Sequence, residues 1–268
     1  MRMSHSTVSP ALAGSWDPNV VAGFVILGLL IGSFLNVVVA RVPEHRSLWK
    51  PGSTCGACGT AIAWHDNVPI LSFAVLRGRC RACRAPISWR YPIIEGTTAV
   101  LFGVAALTFG STADTVAAAA LLALLVALTA IDLERQLLPD VMTLPGIVLG
   151  VLANLATGRV SWVESLLGIV VGGGLFLIII LASGGGMGAG DMKLAAMLGA
   201  FLGWQVVLLS ILLAVVVGGA LAVGLMASGL RSRKDPIPFG PFLAAGGAVG
   251  LFWGERMLGW YLSAFPTS

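Results

Sequence analysis

Long apolar stretches separated by short polar segments dominate the hydrophobic pattern of this 268-residue chain. Because about 20 apolar residues in helical form cross a hydrocarbon layer of about 30 Å, we predict eight membrane-spanning helices. The sixth stretch is the shortest, since Asp191 to Trp204 gives only about 20 Å of helical rise, and Asp191 is therefore expected to lie slightly within the bilayer. The predicted spans are residues 20–39, 93–110, 115–131, 141–157, 162–183, 191–205, 206–228 and 240–262.

Composition strengthens this interpretation. The chain is 57% hydrophobic and 10% charged, with a mean hydropathy of +0.94, whereas soluble domains are about half apolar and a quarter charged. We therefore expect an all-α polytopic membrane protein with one small soluble module. The predicted organisation is an N-terminal tail (1–19), a first transmembrane helix (20–39), a loop (40–92) and a multi-helix transmembrane domain (93–268). The first apolar run has no cleavage pattern typical of a signal peptide and is expected to be retained.

The distribution of basic residues predicts the orientation. Thirteen of the 16 Lys and Arg fall on one side of the predicted spans, and only Arg2, Arg159 and Arg256 fall on the other. By the positive-inside rule, the crowded side is the cytoplasm and both termini lie outside. The net charge of +4 thus reflects topology. We expect no nucleic-acid partner, because no basic helix or interleaved aromatic surface is present.

All four cysteines lie in the predicted cytoplasmic loop, as Cys55-x-x-Cys58 and Cys80-x-x-Cys83. Paired knuckles of this kind are typical of tetrahedral zinc coordination, although the 21-residue insert is slightly longer than the commonest range. The alternatives are four unrelated thiols or two disulfides, and a reducing cytoplasm argues against disulfides. Four cysteines leave no open coordination position, so the predicted Zn²⁺ is structural.

A glycine-rich break at residues 184–190 precedes Asp191 and Lys193 between two apolar runs. Charge at membrane depth is costly and normally pairs, lines a wet cavity or takes part in chemistry. The alternative for Asp191 is a simple helix N-cap. The glycine density, including Gly188 and Gly190, together with neighbouring Lys193, favours a functional role for it.

Asp132 is the best candidate for a second acid facing Asp191, because it also joins two apolar runs. Its alternative role is to mark the end of span three. Asp140, after Pro139, is by default a cap of span four. Two carboxylates within hydrogen-bond range share a proton, so that one serves as a base for water and the other as an acid for a carbonyl oxygen. This pairing is the chemistry of aspartic proteases.

Several short motifs that follow one another along the chain make it resemble the bacterial type IV prepilin peptidases over about residues 28–255. The cysteine loop and the motif at residues 238–242 favour this family over presenilin-like intramembrane proteases, which also contain Gly-x-Gly-Asp. The motifs are Gly32-Ser33-Phe34-Leu35-Asn36-Val37-Val38, Arg41-Val42-Pro43, the two Cys-x-x-Cys pairs, Asp66-Asn67-Val68-Pro69, Arg77-Gly78-Arg79-Cys80, Arg90-Tyr91-Pro92, Ile131-Asp132 with Leu138-Pro139-Asp140, Gly188-Ala189-Gly190-Asp191 and Pro238-Phe239-Gly240-Pro241-Phe242.

The resemblance implies two activities at the cytoplasmic face of the bacterial inner membrane. One is cleavage of a short basic leader from type IV prepilins or type II secretion pseudopilins, with Asp132 and Asp191 as the catalytic pair. The other is methylation of the new N-terminus with S-adenosylmethionine, which the resemblance associates with the cysteine loop. Acidic residues near the opening, Glu44, Glu134 and Asp140, are expected to help receive the basic leader.

The methyl-donor site is less apparent, because the sequence has no soluble dinucleotide-type glycine fingerprint. Asn36, Arg41 and Glu44, at the end of the first span, are the candidates, with a polar helix end as the alternative. Glu44, Asp66 and Glu95 are also expected to be solvated or interfacial partners of arginines.

Two other classes of protein remain open at this point. A proton-coupled transporter would use Asp191 in a broken helix and Asp132 as a proton relay. A membrane scaffold with a zinc ribbon would explain the cysteines but not Gly-x-Gly-Asp.

Overall fold

A computed structural model of the chain describes residues 17–110, 112–182, 188–229 and 237–264. Within these ranges the chain is mostly helical, and two isolated β-bridges are its only extended pairings. The predicted all-α polytopic membrane fold is thereby confirmed. The helices are α1 (Pro18–Arg41), α2 (Leu71–Val75), α3 (Arg90–Thr108), α4 (Thr112–Arg135), α5 (Asp140–Thr157), α6 (Trp162–Ala182), α7 (Ala189–Ala227) and α8 (Gly240–Ala264).

Six of the described helices are long and apolar enough to cross a membrane: α1 and α3 to α7. The predicted sixth and seventh spans lie in α7, where the non-helical backbone of Gly203 separates two helical segments close to the predicted boundary after residue 205. The predicted eighth span forms α8, which is 25 residues long but is not among those six. Because Gly203 divides α7 into two helical segments, the described helices that are 18 or more residues long, with α7 counted as two, correspond in number and order to the eight predicted spans.

The break in α7 is stabilised by side chains from two other helices. Gly203 has φ 76° and ψ 171°, which removes the helical partners of nearby carbonyls. The Asn154 side chain of α5 donates to the carbonyls of Ala200 and Phe201 at 2.9 and 3.1 Å, and the Ser165 hydroxyl of α6 also donates to Ala200. These bonds satisfy backbone oxygens that have no access to bulk water in the bundle interior.

Small residues allow the helices to approach closely, as is typical of helix packing in membranes. Neither Gly168 of α6 nor Gly199 of α7 has room for a Cβ against the backbone of the other. Similarly, a Cβ on Gly32 of α1 would lie 2.7 Å from the Glu95 Cα of α3. The close contact of α1 with α3 places Glu95 in the interior, and the contact of α6 with α7 fixes the helix that carries Asp191.

The segment between α1 and α3 forms the cysteine module, residues 42–89. It contains two short 3-10 turns, Val42–Glu44 and Trp64–Asn67, and the five-residue helix α2. The two bridges, Thr54 with Ala61 and Arg79 with Pro86, are each wrapped around one Cys-x-x-Cys pair. The module thus consists of two similar turns, offset by 25 residues, rather than a large apolar core.

Candidate active site and metal centre

Asp132 lies in the last turn of α4 with only 6% of its surface exposed. The Gly240 backbone N–H at the start of α8 faces its carboxyl group. A Cβ on Gly240 would lie 2.5 Å from the Asp132 Oδ2, so this approach requires glycine. Within the described residues this buried Oδ2 has no hydrogen-bond partner. The carboxyl group is therefore held by backbone on one side and keeps an acceptor atom available.

Asp191 lies in the first turn of α7 and is half-buried. The N-cap of α7 is Gly188, so the alternative role considered for Asp191, that of a helix N-cap, does not apply. Gly188 has no side chain to close the cap, and the orphan N–H groups of the first turn leave a positive end that favours a nearby carboxylate. Asp191 therefore benefits from the helix dipole without acting as the cap.

The two aspartates come from distant parts of the sequence but lie within electrostatic range of each other. Leu138, in the segment between α4 and α5, links the two sides. It lies 2.9 Å from where a Cβ on Gly190 would stand and 3.4 Å from the corresponding point on Gly240. The last turn of α4 and the first turns of α7 and α8 thus converge around Asp132, Asp191 and Leu138.

Asp140 and Lys193 form a bidentate ion pair beside this convergence. The Lys193 Nζ donates to the Asp140 Oδ1 and Oδ2 at 2.6 and 2.7 Å. Asp140 is the first residue of α5, after the N-cap Pro139, so it is not itself the cap. The pair joins the beginnings of α5 and α7. Asp140 thereby compensates the positive charge of Lys193, which lies two residues after Asp191.

The acids expected to receive a basic leader are each paired with a base of this chain. Glu134 accepts from Arg90 at 2.7 Å through both oxygens, and Glu44 accepts from Arg135 at 2.7 Å. Together with the Asp140–Lys193 pair, these contacts leave no unpaired acid among the three proposed receivers. Glu44 and Asp66, which pairs with Arg81 at 2.6 Å, are arginine partners as predicted.

Glu95 differs from this prediction. It is 6% exposed, and its Oε2 accepts the Ile70 backbone N–H at 2.7 Å, with the Ser33 hydroxyl as a further partner. No arginine pairs with it within the described residues. The residue sits where Gly32 allows α1 to meet α3, and it bonds the cysteine module to α3 instead of neutralising a base.

The three candidates for the methyl-donor site have different surroundings. Arg41 donates to the carbonyls of Ser47 and Pro51 at 2.9 and 2.7 Å, which organises the segment after α1, while Glu44 is held by Arg135. Asn36 is 3% exposed and donates to the Tyr91 carbonyl at 3.3 Å, and its Oδ1 has no partner in the described part of the chain. Of the three, only Asn36 keeps an unused polar atom for a ligand.

The four cysteine sulfurs all lie within 4.8 Å of one another. Tetrahedral zinc with Zn–S bonds of about 2.3 Å would place its sulfurs about 3.8 Å apart, and the sulfurs of Cys55 and Cys83 are 3.8 Å apart. The residue after each pair, Gly59 or Arg84, has a positive φ of 71° or 61°. Each turn thus curls back so that both cysteines point to one centre, and the donor set fits zinc.

Thiol electrostatics also favour a cation at this centre. The Thr60 hydroxyl, 3.3 Å from the sulfur, lowers the pKa of Cys58 to about 6, and the backbone N–H groups of Cys83 and Ala82 lower the pKa of Cys80. Although the Ala85 N–H stabilises the Cys83 thiolate, the neighbouring Cys58 sulfur raises the pKa of Cys83 to about 11. A divalent cation would bind all four sulfurs as thiolates and so replace these sulfur–sulfur contacts.

Sequence reasoning did not identify two residues that shape the candidate site. Gly240 belongs to the motif at residues 238–242, but the sequence analysis assigned it no role. Its position at the start of an apolar run, like that of Gly188 before Asp191, could have indicated a close backbone contact. Leu138 gave no signal of its own, because a leucine beside a proline is common at a helix end. Glu95 was noticed, but its sequence context did not reveal that it would be buried.

Comparison with known proteins identifies the family. Residues 26–109 match the Bacterial Peptidase A24 N-terminal domain, and residues 119–223 match the Type IV leader peptidase family. No solved structure matches the chain.

Curated relatives match nearly the whole chain. Proteins named prepilin leader peptidase/N-methyltransferase are 40% identical to it in Aeromonas hydrophila (90% of this chain, 93% of that protein), Pseudomonas aeruginosa (89% and 92%) and Burkholderia pseudomallei (95% and 97%). At this identity and coverage, the chain belongs to the prepilin leader peptidase/N-methyltransferase family.

Proposed function

We propose that this protein cleaves the leader from type IV prepilins or type II secretion pseudopilins and methylates the new N-terminus, with Asp132 and Asp191 activating the water for cleavage. The names of the relatives support prepilin cleavage and methylation. The observation that most supports the aspartate pair is that α4 and α7 bring these two carboxyl groups into electrostatic range at one end of the bundle.

The cleavage step follows from two carboxyl groups that share one proton. The ionised group accepts a proton from water as the water oxygen attacks the scissile carbonyl, and the protonated group donates to the carbonyl oxygen. The tetrahedral intermediate then collapses: the peptide C–N bond breaks, the nitrogen takes a proton from the pair, and one hydroxyl of the intermediate returns a proton to the pair. No covalent enzyme intermediate is needed, because water is the nucleophile.

Neighbouring groups support this pair in different ways. The Gly240 N–H holds the Asp132 carboxyl in place, and the contact of Leu138 with Gly190 sets the approach of α7. The Asp140–Lys193 pair keeps the lysine charge off Asp191. Because such positioning controls catalytic geometry, small displacements here carry large rate penalties.

Methylation requires a donor, and S-adenosylmethionine would supply the methyl group to the free α-amine. Asn36, with its buried unpartnered Oδ1, is our candidate contact for this ligand. Arg41 and Glu44 then act indirectly, by ordering the segment after α1. A structural Zn²⁺ held by Cys55, Cys58, Cys80 and Cys83 would fix the adjacent cysteine module.

The protein is a multi-pass protein of the bacterial inner membrane. We propose that the Asp132 end of the bundle and the cysteine module face the cytoplasm and that both termini lie outside. The arginine-rich cysteine module supports this orientation through the positive-inside rule.

The test is co-expression with a prepilin, followed by mass measurement of the pilin N-terminus, for the wild type, Asp132→Asn and Asp191→Asn. Both variants should lose cleavage by at least about a thousandfold, which is typical when one member of a catalytic unit is removed. The matched control is Asp17→Asn at the N-cap of α1, where Asn caps as well as Asp, so cleavage should persist.

The outcomes separate the alternatives. Leader loss plus one methyl, abolished by either substitution, supports the whole proposal, whereas leader loss without methyl restricts it to proteolysis. An uncut pilin with a well-folded wild type contradicts the peptidase proposal for that substrate, and ion-coupled uptake would then be measured.

A further inference from the structure

The cysteine module presents an apolar surface for which the described chain provides no cover. The side chains of Leu71 and Val75 on α2, and of Trp89 just before α3, are 61%, 67% and 69% exposed. The Phe73 and Trp89 rings are in contact, with centroids 4.9 Å apart, so α2 and the entry to α3 form one continuous patch. We call Leu71, Phe73, Val75 and Trp89 the apolar patch.

The position of the patch along α3 indicates its depth. The Ile70 N–H, at the start of α2, bonds to Glu95, which lies five residues inside the membrane-spanning helix α3. Five residues of helix correspond to about 7.5 Å along the axis. The side chain of Ile70 also reaches Gly96, where its Cδ1 lies 3.7 Å from the position of a Cβ. The module therefore does not end above α3 but runs down beside its first turns.

A backbone N–H at such a depth must find a partner within the protein, because little water is available there. The buried Glu95 carboxylate supplies that partner for Ile70. If α2 were surrounded by bulk water, solvent would serve this N–H, and burying an acid for the purpose would bring no advantage. The Glu95–Ile70 bond thus provides the backbone partner that a short helix needs when it lies in the boundary between headgroups and acyl chains.

Charge next to the patch fits the same environment. Arg77, Arg79 and Arg84 follow α2 and are exposed, and none of them forms an ion pair with a described residue. Juxtamembrane basic side chains are attracted to anionic phospholipid headgroups, each contributing about 1 kcal/mol near the surface. Tryptophan is likewise enriched at the headgroup level. The apolar patch and the arginines therefore match the acyl and headgroup layers of one leaflet.

We propose that the apolar patch is embedded in the bilayer boundary at the Asp132 end of the bundle, with Arg77, Arg79 and Arg84 on anionic headgroups. The cysteine module is then a membrane-surface element and not a freely solvated loop. Because Glu95 ties it to α3 at a fixed depth, it is held at the end of the bundle that carries the aspartates. The partner is the lipid surface itself, and the inference goes beyond the proposed chemistry.

The test is a depth measurement by electron paramagnetic resonance. A nitroxide is attached to p-acetylphenylalanine in place of Leu71 or Val75, which leaves the four cysteines unmodified, and the full chain is placed in nanodiscs containing phosphatidylglycerol. Oxygen concentrates in acyl chains, whereas a water-soluble nickel chelate stays outside. Val100, which is 64% exposed on α3, is the lipid reference, and exposed Ala57 between Cys55 and Cys58 is the module reference.

The oxygen-to-nickel accessibility ratio at position 75 should exceed that at position 57 by about threefold or more, as for a side chain 5–10 Å within the boundary, and should approach the ratio at position 100. Equal ratios at positions 75 and 57 would overturn the proposal. Low accessibility to both reagents would also overturn it, because the patch would then be covered by protein, such as a second copy.

Lipid charge provides a second readout. In nanodiscs of phosphatidylcholine alone, the ratio at position 75 should fall while that at position 100 stays constant, because the arginines lose their anionic partners. A ratio at position 75 that is independent of lipid charge would refute the role of the arginines. Neither measurement requires catalysis, so its failure is distinguishable from failure of the proposed peptidase.

Discussion

Gly240 contacts Asp132 only through its backbone. The hydrogen that takes the place of a side chain at Gly240 is what allows the Asp132 carboxyl group to come so close. A methyl group at this position would stand 2.5 Å from the Asp132 Oδ2, so Gly240→Ala must displace the carboxyl group or the start of α8. Since a displacement of about 1 Å can cost about a hundredfold in rate, we expect cleavage to fall by that order. The measurement is the rate of leader removal from a purified prepilin in detergent.

The matched control for this substitution lies in the same helix. Gly259 of α8 has open space around its Cβ position, so Gly259→Ala should leave cleavage unchanged and should not reduce helix stability. An equal rate for the wild type and Gly240→Ala would contradict the close packing of Gly240 on Asp132.

The Asp140–Lys193 pair connects the helix carrying Asp191 to the start of α5, so each partner should matter only through the other. The side chains are 57% and 25% exposed, and partly exposed pairs contribute up to about 1 kcal/mol, or about fivefold in a rate. We expect Asp140→Asn and Lys193→Met each to slow cleavage by about this factor. The double variant should be no slower than either single variant, because the two residues act as one unit. Additive losses in the double-mutant cycle would show independent roles.

At the scale of elements, the break in α7 depends on side chains from α5 and α6. Asn154→Leu would leave the Phe201 carbonyl without its side-chain donor and the Ala200 carbonyl with Ser165 alone, at a cost of about 1–3 kcal/mol for a buried unsatisfied group. We expect thermal unfolding in detergent to begin several degrees lower than for the wild type. Thr157→Val on the same helix is the control, because the Thr157 hydroxyl bonds only local backbone, the Ala153 carbonyl one turn back and the Arg159 N–H at 3.5 Å. Equal unfolding temperatures for Asn154→Leu and Thr157→Val would argue against this role.

The same break shows where prediction from the sequence ends. Apolar run length correctly located most spans, because crossing a bilayer is a local property of about 20 residues. The interruption of α7 at Gly203 lies close to the predicted boundary after residue 205, but run length does not reveal what stabilises it. Its position depends on Asn154 and Ser165, which are 49 and 38 residues earlier in the chain. Likewise, Glu95 has an ordinary interfacial context in sequence, and only the approach of α1 at Gly32 buries it.

At the scale of the whole molecule, the two candidate centres differ in how far the sequence could predict them. The spacing of the cysteines predicts their geometry, because a turn of a few residues brings the two sulfurs of each pair together. In the structure all four sulfurs lie within 4.8 Å of one another. The aspartates are 59 residues apart, so their positions between apolar runs made Asp132 the best candidate partner of Asp191 but could not show that the two side chains meet. Local polar pattern also suggested that Glu44, Glu134 and Asp140 were available to a basic leader, but the fold pairs each of them with a base.

Separate placement of the two centres leads to a prediction about metal removal. Asp132 and Asp191 are carried by α4 and α7, whereas the cysteines lie between α1 and α3. Cys55→Ser with Cys80→Ser should therefore abolish bound zinc and reduce the methylated fraction of pilin by about tenfold, because such sites contribute folding energy directly to their module. Leader cleavage should change little. Zinc is measured by atomic emission on the purified protein, and both products by mass of the pilin N-terminus. Thr60→Val keeps all four sulfurs and should keep both zinc and methylation. Loss of cleavage together with methylation, at a normal amount of protein in the membrane, would contradict this separation and show that the module also shapes the site of the aspartates.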